Sequence, residues 1–260
     1  MRAAYGHGVT FDVTGDAYDR FMGRYSRPLA ARFADWLEVT AGQQAIDVGC
    51  GPGALTGQLV ARLGADHVRA VDPSAPFVDA CRQRFPGVDV REGAAESLPF
   101  GDDTCDVAAA CLVVHFMADA AAGVSEMRRV TRPGGWVGAT VWDLAGSRAP
   151  MWPLWEAVAE IQPTQPEEKE FAGGSRASLV SILERAALRD VESVELTVTV
   201  NHPSFEEWWE PYLHGVGPAG EVVAALDPDR RTRLEATLRR NLGPGPFELT
   251  AVAYAARGRA

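Results

Sequence analysis

Along the chain, short apolar runs alternate with stretches in which apolar residues recur every three or four positions. Ala45–Val48 is apolar except for Asp47, the pattern of a buried parallel strand, and Ala54–Leu63 has helical spacing closed by Gly64. The same alternation predicts strands at His67–Val71 and Val88–Glu92 around a helix at Ala75–Arg84. Asp106–His115 reads as a fourth strand, so nearly all apolar that it belongs at the centre of the sheet, and a helix at Ala118–Val130 follows with Asp119 in its first turn. Pro133–Gly135 turns the chain into a strand at Trp136–Trp142. Upstream, residues 1–15 carry no periodicity. Pro28 divides the stretch from Asp16 into a short helix at Ala17–Gly23 and a second at Pro28–Leu37, where Leu29, Phe33 and Leu37 share one face. Downstream, helices at Trp152–Ile161 and Arg176–Leu188 flank a loop around the acidic run at 167–170. An alternating strand at Val191–Val200, a helical excursion and a last strand at Phe247–Ala255 complete the pattern. Strands alternating with helices predict an α/β fold on a mostly parallel sheet, with a binding crevice where strand order reverses beside the first strand.

The link between the first strand and its helix carries the candidate chemistry. Gly49, Gly51 and Gly53 lack a Cβ and let the backbone approach a ligand, while the following helix offers it unpaired N–H groups. Strand, glycine turn and helix make the layout of a nucleotide site. Gly49, Gly51 and Ala54 also satisfy a loose dinucleotide fingerprint, with Asp72 about 20 residues on in the place that takes ribose hydroxyls. Asp47 leans against a dinucleotide, because an acid two residues before the first glycine sits where a pyrophosphate would approach. It suits a ligand with a cationic amino group. Asp72 ends the second strand, and its two oxygens can accept from both ribose hydroxyls at once.

Five segments in order then resemble one family: DVGCGPG (Asp47 to Gly53), AVDPS (Ala70 to Ser74), GAAESLPFGDDTCDV (Gly93 to Val107), LVVHFMAD (Leu112 to Asp119) and RPGGW (Arg132 to Trp136). Together they resemble the class I S-adenosylmethionine-dependent methyltransferases, in the small-molecule, type 11-like branch. The resemblance implies a three-layer Rossmann-like fold with a mostly parallel seven-stranded sheet and helical cap insertions. It implies a single domain over 1–260, with cofactor-covering helices at 16–40, a cofactor-binding core at 45–143 and cap insertions at 144–175 and 203–243. S-adenosyl-L-methionine is the implied cofactor. Asp47, Gly49, Cys50, Gly51, Gly53, Asp72, Cys111 and Leu112 are then cofactor-binding candidates. Pro73, Ser74 and Phe77 would border the adenine face, with the Ala95 backbone and Glu96 on its edge. This chain has Ala94 where the family often has an acid. Tyr18, Arg24 and Tyr25 would close the site, Arg24 by pairing with the cofactor carboxylate.

Composition narrows the remaining classes. At 260 residues with 47% apolar content, the chain can hold one full α/β core plus a cap. A net charge of −10 lacks the basic footprint of a nucleic-acid binder. Cys50, Cys81, Cys105 and Cys111 show no CxxC spacing, and the five histidines form no ligand-spaced cluster, so neither disulfides nor a metal are expected. No segment resembles a signal peptide or a membrane span, which predicts a cytoplasmic protein, monomer or homodimer. Trp142, Trp152, Trp155, Trp208 and Trp209 would line an apolar, partly aromatic acceptor pocket. Methyl transfer from a sulfonium asks mainly for alignment and desolvation. His115, closing the central strand, is the candidate general base, with His202 and His214 on weaker grounds. An NAD(P)-binding oxidoreductase and a catalytically idle S-adenosylmethionine-binding regulator remain the alternatives.

Overall fold

The computed structural model describes residues 19–161, 172–215 and 217–260. The expectations for residues 1–15, for Tyr18 and for the acidic loop at 167–170 lie outside them. The sheet is built from β1 (Ala45–Val48), β2 (Val68–Asp72), β3 (Asp89–Glu92), β4 (Cys105–Cys111), β5 (Thr131–Trp142), β6 (Arg189–His202) and β7 (Phe247–Arg259). Its seven strands run in the order β3-β2-β1-β4-β5-β7-β6, with β7 antiparallel to both neighbours and every other ladder parallel. β1 is buried along its whole length, as a strand covered by helices on both faces must be. The chain leaves β1 toward β2 on one side and returns to β4 on the other, so the crevice opens at the carboxyl ends of β1 and β4.

The helices are α1 (Arg24–Trp36), α2 (Ala54–Leu63), α3 (Ala75–Arg84), α4 (Ala120–Val130), α5 (Trp152–Ile161), α6 (Arg176–Arg185), α7 (Phe205–Trp209), α8 (Gly217–Ala225) and α9 (Pro228–Leu242). Pro28 does not divide the first of them. A π-helical turn at Asp19–Gly23 runs straight into α1, which carries Pro28 inside. A proline there costs about 3 kcal/mol. Leu29, Phe33 and Leu37 are fully buried, and at about 1.5–3 kcal/mol each they outweigh that cost. Gly138 on β5 makes the seat, since a Cβ there would stand 2.5 Å from Leu37 Cδ2.

β4 also departs from the apolar pattern. It stops at Cys111, because Leu112 takes a φ of 65° and turns its N–H to the Thr140 carbonyl at 2.9 Å. Val114–Phe116 is a 3-10 turn, so His115 sits in that turn and does not close the strand. In the later half, α5 and α9 pack together, with Glu160 taking Arg240 at 2.8 Å and Asn241 at 3.3 Å.

Candidate active site

A cleft of about 610 Å³, mouth included, lies over the β1–α2 turn. Gly49, Cys50, Gly51, Pro52, Ala54 and Leu55 form its floor, Asp47 and Asp72 its acidic wall, and Phe77, Cys111, Leu112, Val113 and Phe116 its apolar sides. The turn needs glycine for two reasons. Gly49 has a φ of 70°, and a Cβ on it would stand 2.4 Å from Val113 Cγ1. Gly51 has a φ of 52°, and a Cβ on it would meet no protein atom, because it faces the cleft.

Asp72 is held at both oxygens: the Gly51 N–H donates to Oδ2 and the Ser74 N–H to Oδ1, each at 2.8 Å. A carboxylate has about four acceptor sites, more than these two bonds fill. Asp47 is 1% exposed, and its Oδ2 accepts from the Thr56 hydroxyl at 2.6 Å. Its Oδ1 and the Ser26 hydroxyl, both buried, find no partner among the described residues. Burial, opposed by the Thr56 hydrogen bond, pushes the Asp47 carboxyl up to about 7. The cleft therefore offers two unpartnered oxygens among the described residues, one a hydroxyl and the other on a carboxyl that a cation would ionise.

The N-terminal segment closes the cleft from above. Ser26 on α1 and Asp19 in the preceding turn both line it. Asp19 pairs with Arg27 at 2.8 Å and with Arg84 of α3 at 2.5 Å, while Arg84 also donates to the Pro52 carbonyl at 3.0 Å. Neither Asp19 nor Ser26 belongs to the motifs that mark the rest of the site. Ser26 had a signal in the sequence, a polar side chain in the stripe that continues through Leu29, Ala30 and Phe33; Asp19 had none.

Several candidates fall elsewhere. Arg24 points away from the cleft: it pairs with Glu207 at 2.5 Å and approaches His202 Nδ1 at 3.0 Å, so its charge is already matched. Tyr25 is buried with its hydroxyl 2.7 Å from His202 Nε2. Gly53 starts α2 and faces Phe85. Pro73, Ser74, Ala95 and Glu96 are not among the lining residues, and Glu96 accepts from the Asp119 N–H at 3.2 Å. His115 does not line the cleft either, and burial holds its imidazole down at about 3. A group that weakly basic is a poor proton acceptor at neutral pH, which weighs against the general-base expectation. Burial pushes the Cys111 thiol, which does line the cleft, up to about 12.

Leu112 was assigned by its place in a motif, but its backbone was not foreseeable. A bulky residue with positive φ is strained, and such strain collects at functional sites. The tryptophans are largely structural: Trp142, Trp155, Trp208 and Trp209 are buried and Trp152 is half-buried. Trp208 and Trp209 cluster with Phe205 and Tyr212, and Phe21 meets Tyr212 edge-on at 5.0 Å. The Trp142 indole N–H, at the end of β5, is buried with no partner among the described residues. His202 and His214 sit against Glu207 and Glu210. Among the described residues, no cluster of His, Cys, Asp and Glu could hold a metal, and no helix is long and apolar enough to cross a membrane.

A family profile described as a methyltransferase domain matches residues 46–138, the segment that holds all the cleft-lining residues except Asp19 and Ser26. An uncharacterised methyltransferase of Mycobacterium bovis is 37% identical over 140 residues, 54% of each chain. The nocamycin O-methyltransferase of Saccharothrix syringae is 27% identical over 95% of this chain and 96% of its own. The chain spans about half the length of the first curated relatives it matches. Among solved structures, a putative methyltransferase from an antibiotic biosynthesis pathway of Anabaena variabilis superposes with a TM-score of 0.59 at 18% identity, over 88% of this chain and 96% of that one.

Proposed function

We propose, from the methyltransferase-domain match over residues 46–138, that the chain is a class I S-adenosylmethionine-dependent methyltransferase that transfers the methyl group of S-adenosyl-L-methionine to a small organic acceptor. One pair of atoms carries the reading: Asp47 Oδ1 and Ser26 Oγ, buried in the cleft lining and without partners among the described residues. A buried polar atom costs about 1–3 kcal/mol when unsatisfied, so a ligand that supplies donors there is strongly favoured. The α-ammonium of a methionine supplies them and ionises Asp47, whereas a dinucleotide pyrophosphate would meet the same carboxylate with like charge.

Asp72, oriented by Gly51 and Ser74, takes the ribose hydroxyls. Phe77, Leu112, Val113 and Phe116 exclude water from the apolar part of the ligand. When bound, the cofactor supplies a methyl group on an electrophilic sulfonium, displaced in line by the acceptor. The protein's share is then alignment and desolvation, and no cleft side chain is assigned as a base. We place the acceptor under the later helices α5, α7, α8 and α9. The cluster of Phe205, Trp208, Trp209 and Tyr212 favours an apolar or aromatic body there, and the Trp142 N–H is available to a polar group on it. The four free cysteines suit a reducing compartment such as the cytoplasm.

Thermal unfolding tests the cofactor assignment. S-adenosylhomocysteine at about 100 times its dissociation constant adds about 2.7 kcal/mol and raises Tm by roughly 5–10 °C, with NADH giving no shift. A shift with NADH and none with S-adenosylhomocysteine overturns it.

A further inference from the structure

Two thiols meet beneath the floor of the cleft. Cys50 lines the cleft, and Cys81 projects from α3 into the same small apolar cluster with Ala70, Val78 and Val90. Each thiol perturbs the other: Cys50 holds the Cys81 thiol below its usual range, and Cys81 together with burial raises that of Cys50. Cys81 Sγ also lies 3.7 Å from the Thr56 hydroxyl, the group that donates to Asp47. The backbone of Cys50 is part of the turn itself: its N–H donates to the Val71 carbonyl at 3.0 Å and its carbonyl accepts from Gly53 at 2.9 Å.

We propose that Cys50 and Cys81 are a modification site, joined into a reversible disulfide by a hydroperoxide that enters through the cleft, and that the bond closes the cleft to the cofactor. The hydroperoxide, ROOH, takes one thiol to a sulfenic acid and leaves as ROH. The other sulfur attacks that sulfur, and the departing hydroxide leaves with the remaining thiol proton as water. Two thiols lose two hydrogens, and one hydroperoxide is reduced to an alcohol and water. A sulfur–sulfur bond of about 2.05 Å draws Cys50 toward α3. Because Cys50 precedes Gly51, the pull disturbs the N–H that orients Asp72. Ligand bound over the Gly49–Gly51 turn covers Cys50 and slows the reaction. The last two consequences rest on the cofactor reading above; formation of the bond does not.

The test treats the full chain with hydrogen peroxide and reads intact mass, peptide maps without reduction and S-adenosylhomocysteine affinity by calorimetry. The expected result is loss of two hydrogens mapped to Cys50 and Cys81, with affinity weakened roughly tenfold or more and restored by dithiothreitol. Cys81→Ala, or Cys81→Ser if the first folds poorly, is expected to bind like the reduced wild type and to resist the peroxide effect. Oxidation of Cys50 to a sulfinic acid without a crosslink, a crosslink to Cys105 or Cys111, or a Cys50–Cys81 bond that leaves affinity unchanged overturns the proposal. Reduced protein that binds no S-adenosylhomocysteine overturns the cofactor reading and the closure with it, while the mass and map still decide the bond.

Discussion

A fully buried carboxyl with one oxygen on Thr56 and the other without a partner among the described residues, as in Asp47, has its protonated form favoured by burial. Its carboxyl is raised from 3.8 to about 7, so the stability tied to its proton is fully present below about pH 4 and is lost as pH rises toward 7. The ligand-free protein is therefore expected to lose stability across that window, and Asp47→Asn to lose less of it; denaturant melts at pH 5 and pH 8 measure the difference. S-adenosylhomocysteine carries an ammonium that favours the ionised form, so its affinity is expected to strengthen as pH rises through about 7 in the wild type and to stay flat in Asp47→Asn. A parallel pH slope in the two proteins contradicts the assignment. Residue types were informative at this scale where chemistry fixes them: the two acids and the glycines stood out because spacing alone brings them to one turn. Orientation was not legible. Arg24 and His115 are the right types near the right place, and tertiary partners turned the first to Glu207 and buried the second.

At the scale of elements, most helices and strands were readable from their periodicity, and the misreadings have local causes. The apolar run of β4 continues past Cys111, yet the left-handed turn at Leu112 ends the strand, and nothing in the side-chain pattern marks it. Pro28 is a helix breaker by propensity, overridden by the packing of α1 on the sheet. That helix also anchors the later half of the chain. The Tyr25 hydroxyl lies 2.7 Å from His202 Nε2, and His202 Nδ1 lies 3.0 Å from Glu207 Oε2. Burial of His202 lowers its imidazole despite Glu207. Tyr25→Phe removes one partner from a buried ring nitrogen and is expected to cost about 1–3 kcal/mol in urea unfolding. An unchanged midpoint would show that the contact contributes nothing to the anchoring of α1.

For the whole molecule, strand order decides where binding occurs. The reversal between β1 and β4 opens the cleft, α1 covers it, and Arg24 with Glu207 ties that cover to the insertion carrying the aromatic cluster. The parallel core was legible because each strand–helix pair is local in sequence. The position of β7 between β5 and β6, and the packing of α5 against α9, depend on contacts between distant segments that no window of sequence contains. The central claim is that this cleft holds S-adenosylmethionine with its ribose on Asp72. Calorimetric titration of S-adenosylhomocysteine into wild type and Asp72→Ala, with circular dichroism to confirm the fold, tests it most directly. One-to-one binding by the wild type and a loss of about 1.5–3 kcal/mol in the folded variant is the predicted result. Equal affinity in the two proteins, or no binding by the wild type, would contradict it.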